Sequence, residues 1–339
     1  MAIRVLVVND SATARAALRA ALADEPDIVI AGELPSGSTA VEAVEKLAPD
    51  VVLMDIVMPD VDGYQVTRQI LRARPVPILM VSASVAPGDV AVAMDALRAG
   101  AIAVLEAPPP PGSAHYEGRR RVIIHTIRSA AALPSSKVGR MVSNRITPPP
   151  AVSESAGRTF DVVGMVASLG GPPVVADILG HLAAGHPPVL LVQHIEASFV
   201  EGFVSWLRGA TRVNVKVAEH GAYLERGTVY VPPGDRHIGV TTDGKVMLAS
   251  TPPVAGFRPS GTHLLASLAR VYGKRALGIV LTGMGTDGAD GAVALHEAGG
   301  FVIAQDEASC AVAGMTNASR VRGGVDLTLT PGAIAVHVR

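Results

Sequence analysis

Three residues that could share the work of a nucleophilic hydrolase stand at the ends of three strand-like runs. Ser168 follows the apolar run Phe160 to Ala167, and Gly170, Gly171 and a helical pattern follow at once. His194 ends the run PVLLVQH, and Asp287 lies in the glycine-rich turn of ALGIVLTGMGTDGADG. A hydroxyl becomes a good nucleophile when an imidazole takes its proton, and the imidazole is ready when a carboxylate holds it in one tautomer. Parallel strands carry such groups to one edge of a sheet, where ligands bind and N–H groups at a helix start can stabilise a developing anion. Each residue also has a plain structural use: a serine in a glycine turn caps a helix, and a histidine after a strand packs. Together the three favour catalysis. Their chain order does not count against a triad, which is defined by geometry.

Two α/β domains must position these residues. Strands are expected at Ile3 to Val8, Asp27 to Gly32, Val51 to Met54, Pro77 to Val81 and Ala101 to Leu105, with helices between them and a last one near Tyr116 to Leu133. Five βα units imply a five-stranded, doubly wound parallel sheet over residues 1–133. Residues 134–158, with PPP at 148–150 and several serines, read as a Pro/Ser-rich linker. Residues 159–339 read as a second, mostly parallel, doubly wound domain. Within it Asn214 to Ser250 alternates short strands with Gly-Asp and Asp-Gly turns, the pattern of an antiparallel ribbon insertion.

The first domain carries a second chemical feature. Asp10 follows the first strand and Asp55 the third, so both project from one sheet edge. Adjacent carboxylates raise each other's pKa and suit a hard cation such as Mg²⁺. The alternative is that they cap the following helices, with Ser11 helping. Elsewhere the 29 basic and 30 acidic residues nearly cancel, which gives no reason to expect nucleic acid or an anionic membrane as a partner. The single cysteine, Cys310, excludes an internal disulfide and a Cys-based zinc cluster, suits a reducing compartment, and reads as a buried structural thiol. MAIRVLVVND reads as a short strand rather than a secretory signal, and no apolar run is long enough to span a bilayer. A cytoplasmic protein is expected.

The segments VVNDSATAR, VVLMDIVMPDVDG and VSAS resemble a response-regulator receiver domain. ASLGG, VQHIEASF, VPPGDRHI, FRPS, LTGMGTDGADG and QDEASCAVAGM resemble, in order, the catalytic domain of the chemotaxis protein-glutamate methylesterase (CheB) family. The resemblance implies hydrolysis of γ-glutamyl methyl esters on the cytoplasmic helices of chemoreceptors, with glutamine deamidation as a further activity and no cofactor for the hydrolysis. It makes Ser168 the nucleophile, His194 the base, Asp287 the orienting carboxylate and Met284 the source of a backbone N–H for the oxyanion. In the receiver it makes Asp55 the phosphate acceptor and Ser82 the hydroxyl that contacts the phosphoryl group. Asp10, Asp55 and the Val57 carbonyl become the Mg²⁺ ligands, and a chemotaxis-type histidine kinase the partner.

Several positions depart from the family pattern. Val166 and Leu169 replace a glycine and a threonine beside Ser168, and a β-branched residue resists the positive φ that glycine permits, so a shifted turn is expected. Thr262 replaces an acidic residue and has no role legible from sequence. In the receiver, Asn9 removes one carboxylate, Val104 an aromatic, and Ala107, beside Glu106, the lysine that would pair with a phosphoryl group. The leading expectation is therefore a methylesterase with a weakly phosphorylation-responsive receiver. The alternative is a catalytically weak or inactive regulator that keeps the fold for interaction. A phosphate-loop reading of VVGMVASLGG fails because Val166 interrupts the required G-x-G-x-x-G.

Overall fold

The computed structural model describes residues 2–59, 63–82, 87–143 and 158–338. The chain divides into two compact units, 1–144 and 145–339. In the first, β1 (Ile3–Val8), α1 (Ala12–Leu22), β2 (Ile28–Leu34), α2 (Ala40–Leu47), β3 (Val51–Asp55) and α3 (Gly63–Ala73) alternate. They continue through β4 (Ile78–Ser82), α4 (Pro87–Ala99), β5 (Ala103–Glu106) and α5 (Tyr116–Ala131). The parallel order β2-β1-β3-β4-β5 turns back between β1 and β3. The inner stretches of β1, β3 and β4, residues 5–8, 51–54 and 78–81, are apolar and buried on both faces, as a sheet covered by helices on each side requires. One helix, α6 (Ser135–Ser143), lies where the sequence suggests linker. Its Val138 is fully buried, which gives it a reason to fold onto the first unit; residues 144–157 of the expected linker lie outside the described residues.

The second unit begins with β6 (Val162–Ala167), α7 (Gly171–Gly180), β7 (Val189–Gln193), α8 (Val200–Thr211), β8 (Asn214–Val217) and β9 (Thr228–Val231). Then come β10 (His237–Val240), β11 (Val246–Ala249), α9 (Gly261–Val271), β12 (Ala276–Val280) and α10 (Ala289–Glu297). It closes with β13 (Phe301–Gln305), α11 (Gly314–Val321), β14 (Leu327–Leu329) and α12 (Pro331–His337). Seven parallel strands run in the order β14-β13-β12-β6-β7-β9-β8. The ribbon is narrower than expected: β8 and β9 join the main sheet, and only β10 and β11 pair antiparallel apart from it. The Gly-Asp and Asp-Gly turns resemble hairpin signals, but only Asp243-Gly244 closes a hairpin between two registered strands.

The chain winds one way from β6 through β7 and the other way from β12 through β14, so the switch point lies between β6 and β12. In open sheets of this kind, ligands bind outside the carboxyl ends of the strands at such a point. The expected distortion at Val166 is absent. Val166 lies inside β6, in register with Val192 and Val280 and outside the set of positive-φ residues. The positive φ of that segment falls later, at Gly170 (73°). Val166 instead fills the space beneath the start of α9, where a Cβ on Gly261 would lie 2.2 Å from Val166 Cγ1. Gly261→Ala should therefore overpack the site and destabilise the chain by about 1–3 kcal/mol. Because Val166→Ala opens the same space, the double substitution should cost less than the sum of the single ones in urea unfolding. Strict additivity would show that these positions do not oppose each other.

Candidate active site

Asp287 follows β12 and is 1% exposed. One carboxylate oxygen, Oδ2, accepts from His194 Nε2 at 2.8 Å and from the Gly261 N–H at 2.7 Å. The other, Oδ1, accepts from Ser260 Oγ at 2.7 Å and from the Thr262 N–H at 3.1 Å. Gly261 and Thr262 open α9, so the carboxylate sits on the positive end of that helix. Burial opposes its ionisation, but the hydrogen bonds and charge of His194, with Ser260 and Gly261, outweigh burial and hold the carboxyl well below the usual range. An ionised Asp287 can only accept, which puts the proton of the neutral imidazole on His194 Nε2 and leaves Nδ1 as the basic nitrogen. Nδ1 is buried and has no hydrogen-bond partner among the described residues.

Ser168 emerges from β6 beside His194, because Ala167 pairs with Gln193 and the His194 N–H donates to the Ala167 carbonyl at 3.0 Å. The serine and imidazole thus share one edge, with no hydrogen bond between their side chains among the described residues. The serine's backbone is held on both sides. Its N–H donates to Thr282 O at 3.0 Å, and its carbonyl accepts from Gln193 Nε2 at 2.8 Å and the Gly171 N–H at 2.9 Å. Thr282 Oγ1 reaches the Leu169 carbonyl at 3.0 Å, so the backbone of this replaced residue is tied down although its hydroxyl is lost. Gly171 permits the approach of Gln193, since a Cβ there would stand 2.3 Å from Gln193 Oε1. The turn bearing Met284 passes over Ser168: a Cβ on Gly283 would lie 2.7 Å from Ser168 Cβ.

Sequence reasoning missed Gln193, Ser260 and Thr282, and gave Thr262 no role. Thr262 Oγ1 accepts from the Gly288 N–H at 2.8 Å, which closes a second latch between α9 and the Asp287 turn. Ser260 did leave a signal: it precedes an apolar helical run, and its Oγ accepts from the His263 N–H at 3.2 Å as an N-cap. Cys310 is buried, with its thiol near Gln305 O and Thr316 Oγ1.

In the first unit, Asp10 and Asp55 meet where β1 and β3 end, at the switch point of that sheet. Burial pushes the Asp55 carboxyl up to about 6; backbone N–H groups of Val57 and Ile56 oppose the rise and Asp10 adds to it. Ser11 caps α1, accepting from the Ala14 N–H, while Asp10 stands exposed and Arg15 binds the Asn9 and Asp10 carbonyls. Ser82 is buried at the end of β4, paired in register with Glu106. Glu106 is not a bare carboxylate: it forms an ion pair with Arg119 of α5. Two converging carboxylates, one half-buried and hard to ionise alone, fit a hard divalent cation. No cluster of three or more acidic, histidine or cysteine ligands occurs among the described residues.

These two folds define a protein that joins a receiver of the response-regulator type to a doubly wound hydrolase domain. Residues 163–338 match the CheB methylesterase family model, and residues 5–111 the response regulator receiver domain. The chain belongs to the CheB methylesterase family. A relative from Anaeromyxobacter dehalogenans, named protein-glutamate methylesterase/protein-glutamine glutaminase 3, is 43% identical over 98% of this chain and 97% of its own. One of the same activity name from Myxococcus xanthus is 43% identical over 92% of this chain and 89% of its own. The crystal structure of the Thermotoga maritima CheB methylesterase catalytic domain covers 54% of this chain and all of its own, at 31% identity and a TM-score of 0.51.

The Asp55 environment sets a pH dependence. Its pKa is raised on folding, so the folded chain keeps a proton that the unfolded chain releases, and stability falls as pH rises from about 4 to about 6. Asp55→Asn should accordingly raise the Tm of the first unit at a pH of about 8 and change it little at a pH of about 4. Equal shifts at both pH values would show that the buried charge is not the cause.

Proposed function

We propose that this chain hydrolyses γ-glutamyl methyl esters on the cytoplasmic helices of chemoreceptors, with Ser168, His194 and Asp287 as its catalytic triad. The observation that carries the reading is the His194 Nε2–Asp287 Oδ2 hydrogen bond at the same sheet edge as Ser168. His194 Nδ1 takes the Ser168 proton as Oγ attacks the ester carbonyl, and the negative charge moves to the carbonyl oxygen. The Met284 backbone N–H, on the turn over Ser168, stabilises that oxyanion. Collapse of the tetrahedral intermediate breaks the bond to methoxide, which leaves as methanol with the proton from His194. Water, deprotonated by His194, then attacks the acyl-serine, releasing glutamate and restoring Ser168. A glutamine side chain enters the same sequence with ammonia as the leaving group, in keeping with the glutaminase name of the relatives.

The receiver regulates this activity through Asp55 in our reading, with a chemotaxis-type histidine kinase as phosphate source. Asp10, Asp55 and the Val57 carbonyl would hold Mg²⁺, which neutralises charge on an incoming phosphoryl group. Ser82 contacts that group. The coupling is weak, because Ala107 offers no cation and Glu106 already engages Arg119. No helix among the described residues is long and apolar enough to cross a membrane, in keeping with a cytoplasmic enzyme that meets its receptors from that side.

Ser168→Ala should lower methanol release from methylated receptor fragments by about 10³- to 10⁶-fold with the fold retained, and His194→Ala similarly. Retention of most of the activity would overturn the triad and leave the non-catalytic regulator as the better reading. Incubation with Mg²⁺ and a small-molecule phosphodonor should label Asp55 slowly and raise esterase activity little. Stoichiometric labelling with a large rise in rate would show that this receiver switches without the lysine.

A further inference from the structure

The hydrogen bond to Asp287 leaves one degree of freedom of the His194 ring unset. Nε2 lies nearly opposite Cγ, so a bond at Nε2 fixes the long axis of the imidazole but not its rotation about that axis. Nδ1 lies off the axis. A roll of the ring would keep the Asp287 contact and swing the basic nitrogen away from Ser168. Among the described residues, Nδ1 has no hydrogen-bond partner to stop the roll. The aromatic ring stacked on His194 among those residues is Phe257, with centroids 4.2 Å apart and planes within 6° of parallel. Parallel stacking resists the rotation that a single hydrogen bond allows.

Phe257 is itself held in an unusual way. Val254 and Phe257 exchange both backbone hydrogen bonds at 3.0 Å around a two-residue turn in which Ala255 (φ 50°) and Gly256 (φ 86°) are both left-handed. A left-handed alanine is uncommon and persists where surrounding contacts enforce it. Those contacts are present on the C-terminal side. Arg258 pairs with Asp235 through two 2.8 Å bonds and reaches the Ser250 and Thr251 carbonyls. Two residues further on, Ser260 binds Asp287 Oδ1, and the Ser260 N–H is held by His237 Nδ1 at 3.2 Å. A single short segment thus touches the face of the imidazole with Phe257 and the far oxygen of its carboxylate partner with Ser260.

We propose that Phe257 is a positioning residue for the hydrolytic site: its ring sets the plane of the His194 imidazole and so aims Nδ1. The proposal rests on the reading of His194 as the base for Ser168. Small errors of aim at a reacting group cost about 10- to 100-fold in rate without altering substrate contacts. In the full chain, Phe257→Leu should lower kcat for methanol release by about that factor and leave KM within about twofold, whereas Phe257→Tyr should keep most of the rate. Thermal unfolding of both variants separates aim from folding. The same variants should be compared for the rate at which a fluorophosphonate labels Ser168, a reaction that needs an activated serine but no receptor. Slower labelling by Phe257→Leu, restored in Phe257→Tyr, is the expected result. Equal labelling by wild type and Phe257→Leu would overturn the positioning role while leaving the triad intact, as would a raised KM at unchanged kcat. No labelling of Ser168 in the wild type would overturn the triad reading and the inference built on it.

Discussion

The catalytic half of the molecule is organised around a carboxylate kept ionised where water barely reaches it. Four donors surround Asp287, and three of them belong to the N-cap and first two residues of α9, Ser260 to Thr262. The imidazole supplies the fourth. Removing solvent from a carboxylate is expensive, and only donors already fixed in place offset that cost. The shapes of neighbouring residues follow from this need. Gly261 must lack a side chain because its N–H approaches Asp287 while Val166 fills the space behind it. Thr262 must present its hydroxyl to Gly288 so that the turn carrying the carboxylate cannot drift.

Ser168 is held by different means. Its place is set by backbone hydrogen bonds to Thr282 and Gly171 and by the amide of Gln193, which spans the ends of β6 and β7. A buried amide and hydroxyl tie three strand ends together without adding a charge near the serine. The receiver-type unit uses the opposite strategy. There two carboxylates stand together, and burial with the nearness of Asp10 makes Asp55 hard to ionise.

Much of this could be read from the residues alone, and the limits were physical. Apolar runs ending in Ser168 and His194 marked strand ends because a strand buried on both faces must be apolar throughout. Strand order was not legible, since it depends on how crossovers pack, and the switch point between β6 and β12 therefore appeared only in the fold. The expectation at Val166 failed because that position is extended backbone inside β6, with no need of a positive φ, and the left-handed residue of this segment is Gly170. Thr262 had no reading because its partner, the Gly288 N–H, is 26 residues away in sequence. Phe257 was hidden for a similar reason: a phenylalanine in a loop shows nothing of the ring it will cover.

The arrangement also bears on when activity can arise as the chain is made. Ser168 and His194 leave the ribosome early in the second unit, but Asp287 follows His194 by 93 residues. The strand that carries Asp287, β12, is also the partner of β6 on the far side of the switch point, and it brings the Thr282 carbonyl to which Ser168 donates. Until β12 docks, the serine lacks its backbone anchor and the imidazole its counter-charge at the same time. A single long-range pairing, slow by its nature, therefore delivers both contacts together, late in the making of the second unit.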